Sequence, residues 1–270
     1  MEFDEINNKD QIIKFIEEKS LKDPSLIPFL GALRHPFMKE KVRIFSNFSL
    51  DNTPRMEIEI IVLKMPSCRD CLVELRNGEP IPREKKYKLL IWCSDKEVKH
   101  QTLEINLEPL FKEFTLQKAE KHLFNMPNML NSTVEELGIA SLRKEYDFRP
   151  LSLPDLHENI LQYYDSKRMR NVFELSVLLK LNYGAFEKNT GQLCGWVFID
   201  DVGSFNALMV LPKHRNKNLG KYLICKCMEI CKIHGIPVHG FAPAPRRSYV
   251  GLTSVQFHTY TSLYFYSIEK

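Results

Sequence analysis

The sequence has no apolar run long enough to cross a bilayer as a helix, which takes about 20 consecutive apolar residues. Its formal net charge is only +4, so it lacks the dense basic surface expected of a nucleic-acid-binding protein. Residues 1–5 are acidic and have no apolar core, so no signal peptide is predicted. The composition of the whole sequence, 44% hydrophobic and 27% charged residues, is typical of a soluble globular protein.

The seven cysteines are an odd number and mostly lie in apolar runs. They indicate reduced thiols in an intracellular protein, cytoplasmic or mitochondrial. Cys68 and Cys71 form a CxxC pair, but no second pair lies at the spacing that a zinc site requires. Redox pairs stand at the start of a helix that follows a strand, whereas this pair falls between two runs predicted as strands. We therefore interpret it as a chance pair or a tight turn, and we predict no metal site.

The most informative stretch covers residues 206–223. An apolar run at 207–211 is followed by a basic loop at 213–217, and then by apolar residues every four positions, which predict a helix. A strand, a basic loop and a helix start together suit phosphate, because the first N–H groups of a helix lack partners and carry the positive end of its dipole. Asn218 and Gly220 tolerate the unusual backbone angles that such a loop needs.

This stretch resembles the signature of a known family. Residues 215–220, Arg-Asn-Lys-Asn-Leu-Gly, resemble the Arg/Gln-x-x-Gly-x-Gly/Ala signature at which the GNAT N-acyltransferases bind acyl-coenzyme A. Together with residues 184–186 and 192–197, the stretch is similar to the glycine N-acyltransferase-like branch, over about residues 145–270. Asn218 stands where the signature has its first Gly. The basic side chains cluster here, which suits a small polyanion such as coenzyme A.

The resemblance implies an α/β (α+β) protein with the GNAT fold, which is a central, mixed, mostly antiparallel sheet with flanking helices. It divides the chain into a GNAT domain at 145–270 and a degenerate GNAT-like half at 1–144. The first half agrees in having no Gly-rich loop before a helix.

Sequence patterns predict the elements of both halves. The predicted helices are at residues 10–19 (capped by Asp10), 27–33, 114–124, 133–142, 155–164, 168–181, 219–234 and 246–252. The predicted strands are at residues 42–45, 56–63, 72–75, 87–93, 146–151, 183–187, 193–200, 204–211 and 238–241, and residues 255–266 form the last strand or two. Residues 99–114 stay open between helix and strand.

The resemblance also implies which residues bind acyl-CoA, a co-substrate that needs no metal. Backbone groups of a bulged strand would contact the acyl carbonyl and pantetheine, and the loop with the first helical turn would hold the pyrophosphate. The strand residues are Leu208, Met209, Val210 and Leu211, and the loop and helix residues are Arg215, Asn216, Lys217, Asn218, Leu219, Gly220 and Lys221.

Amide formation from a thioester needs a base for the amine and stabilisation of the carbonyl oxygen. The glycine-conjugating members have a Glu base after the Gly that opens the phosphate strand, where this sequence has Ser204. The candidate bases are Asp201, beside Asp200, and His239. The aspartates are the nearest carboxylates, and the ordinary pKa of histidine, about 6.5, suits a base. The alternatives are a hairpin turn for the aspartates and a core histidine for His239.

The departing thiolate also needs an acid. GNAT enzymes often use a Tyr on the helix after the next strand, and Tyr249 falls in that segment. The alternative for Tyr249 is a packed aromatic side chain.

These observations predict an N-acyltransferase that moves an acyl group from acyl-CoA to the amine of a small molecule. Two alternatives stay open: a GNAT-fold protein that binds coenzyme A or a partner without turnover, favoured by Ser204 and Asn218, and a protein N-acetyltransferase. The predicted partners are acyl-CoA and a small amine, with neither nucleic acid nor a membrane span. The sequence specifies no acyl group, acceptor or oligomeric state.

Overall fold

The structure, a computed structural model, describes residues 3–47, 60–78, 80–81, 87–93, 117–125, 135, 138–242 and 258–267. The α-helices are α1 (Lys9–Ser20), α2 (Ile27–Arg34), α3 (Cys68–Asn77), α4 (Lys167–Leu178) and α5 (Leu219–His234). Short 3-10 turns lie at Pro24–Leu26, Met38–Glu40, Ala140–Lys144 and Pro212–His214. An irregular helical segment before α4 combines an α turn (Leu153–Asp155), a π turn (Leu156–Ile160) and a 3-10 turn (Leu161–Tyr163).

Eleven strands fall in two sheets within the described part of the chain. They are β1 (Asp4–Glu5), β2 (Arg43–Ser46), β3 (Ile60–Pro66), β4 (Tyr87–Cys93), β5 (Gln117–Asn125), β6 (Tyr146–Arg149), β7 (Asn182–Glu187), β8 (Leu193–Ile199), β9 (Phe205–Val210), β10 (His239–Ala242) and β11 (His258–Ser267). The first sheet has the order β1-β2-β3-β4, and the second has the order β11-β5-β10-β9-β8-β7-β6. All neighbours are antiparallel except β9 and β10. The predicted mixed, mostly antiparallel sheet with flanking helices is confirmed.

The second sheet is buried on both faces by helices. On one face, the predicted apolar row Leu219, Leu223, Cys227 and Cys231 of α5 packs against Val197. On the other face, Trp196 and Phe198 pack against Phe173 of α4, with the Phe173 and Phe198 rings stacked at 4.4 Å. β8 is therefore buried at every position, as expected of a strand covered on both sides.

The first half has a hydrophobic core that Leu175 and Val202 of the second half also join. Ile12 and Ile16 lie one helical turn apart on α1 and are fully buried against α2 and the first sheet. The side chain of Asn8 caps α1 by accepting a hydrogen bond from the amide of Gln11. The prediction of Asp10 as the N-cap is wrong, because the cap lies two residues earlier and Asp10 is in the first turn of the helix.

The helix predicted at 114–124 is wrong, because residues 117–125 form β5. The segment contains Gln, Lys, Ala, Glu and Leu, which are strong helix formers when alone. Here it pairs on both sides, with β10 and with β11, and such pairing overrides local propensity. β5 precedes residue 145 in the chain yet lies in the sheet of the second half. The division of the chain at 144 and 145 stays a prediction.

The strand predicted at 72–75 is also wrong, since these residues belong to α3. Local signals account for the helix: the hydroxyl of Ser67 accepts from the amide of Asp70, and Gly78 ends the helix in the left-handed conformation at φ +71°. Cys71 and Leu72 face the core. The CxxC pair thus opens a helix instead of forming a turn.

Two further predictions differ in detail, and a third lies outside the described residues. The helix predicted at 155–164 is the irregular segment that contains the π turn. The helix predicted at 133–142 falls partly outside the described residues, and its described end is the 3-10 turn Ala140–Lys144. The short helix predicted at 246–252 lies outside the described residues altogether.

The two halves touch through helices of the first half and through helix α4 and the end of helix α5 in the second. The Arg34 guanidinium donates to the carbonyl oxygen of Gly235, at 3.0 Å. Arg76 of α3 pairs with Glu174 of α4 at 2.6 Å. The first sheet and its helices therefore pack against the unit that contains the predicted site.

Candidate acyl-CoA site

A gap between β9 and β10 lies at the centre of the second sheet. The two strands are parallel, and in the described residues they share a single ladder pair, Gly240 with Phe205, at the start of both strands. On its other side β10 pairs with β5 along its whole length, whereas Phe241 and Ala242 have no ladder partner in β9. The gap therefore opens toward the carboxyl ends of β9 and β10, the position at which sheets with parallel strands bind ligands.

β9 carries a bulge beside this gap. The register with β8 shifts between Trp196 and Phe198, and Ala207 has a positive φ of 53°. Beyond the bulge, the amide of Leu211 donates to the carbonyl oxygen of Cys194 at 2.8 Å. Because amides alternate in direction along an antiparallel ladder, the amide of Val210 points away from β8, toward the gap. Residues 208–211 thus lie where the sequence predicts a bulged strand.

The loop from β9 to α5 turns sharply at two asparagines. Asn216 and Asn218 both have left-handed backbone angles, with φ of 61° and 63°. Asn218 is the N-cap residue of α5. Asparagine adopts this region more readily than most residues, so the replacement of the signature Gly keeps the turn. Residues 215–218 are exposed, as a phosphate site requires.

The start of α5 is open to a ligand. The amides of Leu219, Gly220 and Lys221 belong to the first turn, where a helix supplies no acceptor of its own. A Cβ added to Gly220 would meet nothing closer than Cγ2 of Val210 at 3.8 Å. Space therefore remains beside the helix end, and Gly220 is not required by packing.

Two basic side chains of the loop are held in place. Arg215 Nε donates to the carbonyl oxygen of Val210 at 2.9 Å, which ties the loop to β9. Lys217 Nζ lies 3.2 Å from the hydroxyl of Tyr146 and 3.8 Å from Glu145. The hydrogen bond with Tyr146 raises the pKa of Lys217, so this exposed lysine stays charged.

The structure places His239 in the core and not on an open surface. Its Nδ1 lies 2.8 Å from the carbonyl oxygen of Pro237, so Nδ1 carries the proton and donates. The side chain is fully buried, and its Cε1 faces Gly31 of α2. Burial lowers the pKa of His239 to about 4. Nε2 is one of two buried side-chain atoms in the described residues that have no hydrogen-bond partner.

The aspartates lie at the hairpin between β8 and β9. Asp200 Oδ1 accepts from the amides of Val202 and Ser204, at 3.1 and 2.9 Å, as in a turn-forming aspartate. Asp201 is buried on the side of the first half, near His35. Ser204 is fully buried, and its hydroxyl donates to the carbonyl oxygen of Phe205 at 3.3 Å. Tyr249 lies outside the described residues.

Sequence reasoning missed a pair of aromatic side chains at the bulge. The indole Nε1 of Trp196 donates to the hydroxyl of Tyr164 at 3.3 Å, and that hydroxyl lies 3.5 Å from the carbonyl oxygen of Ala207. Tyr164 directly follows the irregular helical segment. The sequence pattern predicted a regular helix here, and it gave no signal that the Tyr164 side chain reaches β9.

Comparison with known proteins supports the resemblance for part of the chain. Residues 182–235, from β7 to the end of α5, match the model of the FR47-like protein family. This match supports the GNAT superfamily for the segment that contains the gap, the bulge and the loop, without reaching a particular branch of it. No curated protein matches the sequence.

One solved structure shares the overall fold, and two more distant ones are also similar. An X-ray structure of a Drosophila protein is similar with a TM-score of 0.61 and 12% identity, covering 99% of this chain and 98% of that chain. A tandem GNAT protein from the clavulanic acid biosynthesis pathway has a TM-score of 0.42 and 12% identity, covering 98% of each chain. A GNAT-family acetyltransferase from Colwellia psychrerythraea has a TM-score of 0.42 and 8% identity, covering 100% of each chain. The last two are more distant than the first.

In the part of the chain that the structure describes, no helix combines the length and apolar composition needed to cross a membrane.

Proposed function

We propose that this protein is an acyl-CoA-dependent N-acyltransferase that acts on the amine of a small molecule, glycine or another. The observation that carries the proposal is the position of the gap. β9 leads from the gap into the loop at 215–218 and the start of α5, so the wide end of the gap and the helix start lie at one edge of the sheet. A long, narrow ligand with a pyrophosphate fits this arrangement.

The phosphate end of the ligand would meet fixed positive partial charge. The first amides of α5 and its dipole favour an anion by roughly 0.3–1 kcal/mol or more. Lys217 and Lys221 add full charges. The hydrogen bond from Arg215 to the carbonyl oxygen of Val210 fixes the shape of the loop. The charge of Arg215 also makes the electrostatic potential at the loop more positive.

The acyl end would lie at the bulge. The amide of Val210 points into the gap and can donate to the thioester carbonyl oxygen as that oxygen gains charge, the kind of group that commonly contributes 10²–10³-fold to kcat. The amine would attack the carbonyl carbon directly, with no covalent enzyme intermediate. Tyr249 remains our candidate for the acid that protonates the departing thiolate.

A second candidate function is binding of coenzyme A, or of a partner, without turnover. Three observations favour it: Ser204 stands in the place of the family's Glu base, Asp200 is engaged in its turn, and His239 is buried. If the protein is an active enzyme, an amine that binds in its uncharged form needs no base before it attacks. Otherwise water in the gap would accept the proton.

Thermal unfolding with and without coenzyme A tests the shared binding site. A ligand at about a hundred times its Kd stabilises by roughly 2.7 kcal/mol, and each kcal/mol raises the midpoint by roughly 2–4 °C in a chain of about this size. We expect a rise of several degrees, lost in Gly220→Glu, which places a carboxylate at the phosphates. Gly220→Ala is the matched control and should keep the shift, because its Cβ fits. No shift in the wild type would refute the transferase and the binding of coenzyme A, and would favour the binding of a partner.

Release of free thiol from a panel of acyl-CoAs with small amines separates the two functions. Amine-dependent release that Gly220→Glu abolishes supports the transferase. A thermal shift without release from any pair supports binding alone.

A further inference from the structure

The CxxC pair lies in a setting that its sequence context did not predict. β3 ends at Pro66, Ser67 caps the next helix, and Cys68 is the first residue of α3. A strand followed at once by a helix that opens with CxxC is the arrangement of redox-active pairs. The turn interpretation of the pair depended on a strand at 72–75, which the structure replaces with a helix.

The geometry of the pair suits a disulfide. Cys68 and Cys71 are three residues apart in the first turn of α3. In a regular helix such residues have Cα atoms about 5 Å apart, inside the range of roughly 4.4–6.8 Å that disulfides span. Neither cysteine is in a disulfide in the structure. The bond can therefore form with side-chain rotation and only local adjustment of one turn.

The two thiols differ in access. Cys68 is partly exposed, whereas Cys71 is fully buried beside Met38, with 3.8 Å between the two sulfur atoms. A reagent in solution can reach Cys68 but not Cys71. The accessible thiol of Cys68 can therefore react with a disulfide in solution, and the buried thiol of Cys71 can react only with Cys68.

The electrostatics agree with those roles. Cys68 stands at the positive end of the α3 dipole, which favours its thiolate. Asp70 opposes this effect, although its carboxylate accepts a hydrogen bond from the Ser67 hydroxyl at 2.7 Å. Burial raises the pKa of Cys71 to about 12, so Cys71 is a protonated thiol until it reacts.

We propose that Cys68 and Cys71 form a redox-active dithiol that exchanges with small disulfides such as glutathione disulfide. The Cys68 thiolate attacks one sulfur of the glutathione disulfide, a mixed disulfide forms, and one glutathione leaves as thiolate and takes up a proton. Cys71 then loses its proton and attacks the Cys68 sulfur, and the second glutathione leaves in the same way. The protein loses two electrons and two protons, and one disulfide becomes two glutathione thiols.

Trypsin provides a direct test on the full-length protein, because it cleaves after Arg69, between the two cysteines. The folded protein is equilibrated with mixtures of reduced and oxidised glutathione, quenched in acid, alkylated in denaturant and digested. We expect peptides 65–69 and 70–76 to remain linked by a disulfide, in a fraction that rises with the share of oxidised glutathione. Cys231, which is fully buried, serves as an internal reference and should be recovered alkylated.

Two variants separate the roles. Cys71→Ala should accumulate glutathione on peptide 65–69, because nothing resolves the mixed disulfide. Cys68→Ser should accumulate none on peptide 70–76, because Cys71 is buried. Circular dichroism checks that each variant is folded. The proposal is overturned if the wild type never yields the linked peptides under oxidising conditions, or yields them only after denaturation.

Discussion

Gly31 of α2 lies directly against Val202, in the turn between β8 and β9. A Cβ on Gly31 would approach the carbonyl oxygen of Val202 more closely than real Cβ atoms do, and it would stand 2.8 Å from Cε1 of His239. This contact joins a helix of the first half to the turn and strand that frame the candidate site. The absence of a side chain at Gly31 is therefore a condition for the packing of the two halves.

Gly31→Ala should destabilise the protein although alanine favours helices. Overpacking costs about 1–3 kcal/mol, against a propensity gain of up to about 1 kcal/mol. Urea unfolding should show a net loss of stability on the order of 1–2 kcal/mol. Gly220→Ala is the matched helical control and should show no loss, since its Cβ finds 3.8 Å of space. Equal stability of both variants would contradict the close packing.

Two buried histidines predict a loss of stability in acid. Burial lowers the pKa of both His35 and His239 to about 4, and the nearby Asp201 only partly offsets this at His35. The unfolded chain has the ordinary pKa of about 6.5, so below that pH it binds protons that the folded chain does not. Their stabilising effect is complete above about pH 6.5 and declines as the pH falls toward 4. At pH 5 each histidine should cost about 2 kcal/mol.

Urea unfolding near pH 7.5 and near pH 5 measures this loss. His239→Asn should reduce it by about half, because the asparagine amide can still donate to Pro237 without titrating. His35 Nδ1 accepts from the amides of Phe37 and Met38, which requires its unprotonated form. A wild-type stability that is flat over this range would contradict the burial of both rings.

Prediction from sequence succeeded where local signals and tertiary structure agree. The helix at 219–234 has the same bounds in the structure, because its apolar row and the Gly235 stop are strong local signals. It failed at β5 and α3 for opposite reasons. β5 is a strand only because β10 and β11 pair with it, which no local pattern encodes. In α3 the local cap at Ser67 was present in the sequence but was outweighed by an apolar run.

The site divides in the same way. Residues 208–221 follow one another along the chain, so a single motif placed the bulge, the loop and the helix start together. The candidate bases depended on neighbours from other elements. Nothing local to His239 indicated that Gly31 would cover it, and nothing local to Tyr164 indicated that it would reach the bulge.

The left-handed backbone of Asn218 gives a graded test of the loop. Asn218→Gly restores the signature residue and should keep the loop and the coenzyme A shift. Asn218→Val should cost roughly 1–2 kcal/mol, since a β-branched residue adopts this conformation poorly. It should also lose most of the thermal shift with coenzyme A. If the valine variant binds as the wild type does, the left-handed turn is not part of the binding site.

Tyr164 should matter for turnover through the bulge of β9. Tyr164→Phe removes the hydroxyl that lies 3.5 Å from the carbonyl oxygen of Ala207 and leaves the buried indole N–H of Trp196 without its acceptor. We expect a loss of about 1–3 kcal/mol in stability. We also expect kcat to fall severalfold while KM for acyl-CoA changes little, because the phosphate end of the site is untouched.

The neighbouring tyrosine supplies the control for this prediction. Tyr163 is 48% exposed and its ring lies 5.4 Å from that of Trp196, so Tyr163→Phe keeps the aromatic contact and removes only a hydroxyl. Unfolding in urea and steady-state thiol release should separate the two variants, with Tyr163→Phe close to the wild type. If they behave alike, the hydroxyl of Tyr164 does not hold the bulge, and the position of the Val210 amide depends on the β8 ladder alone.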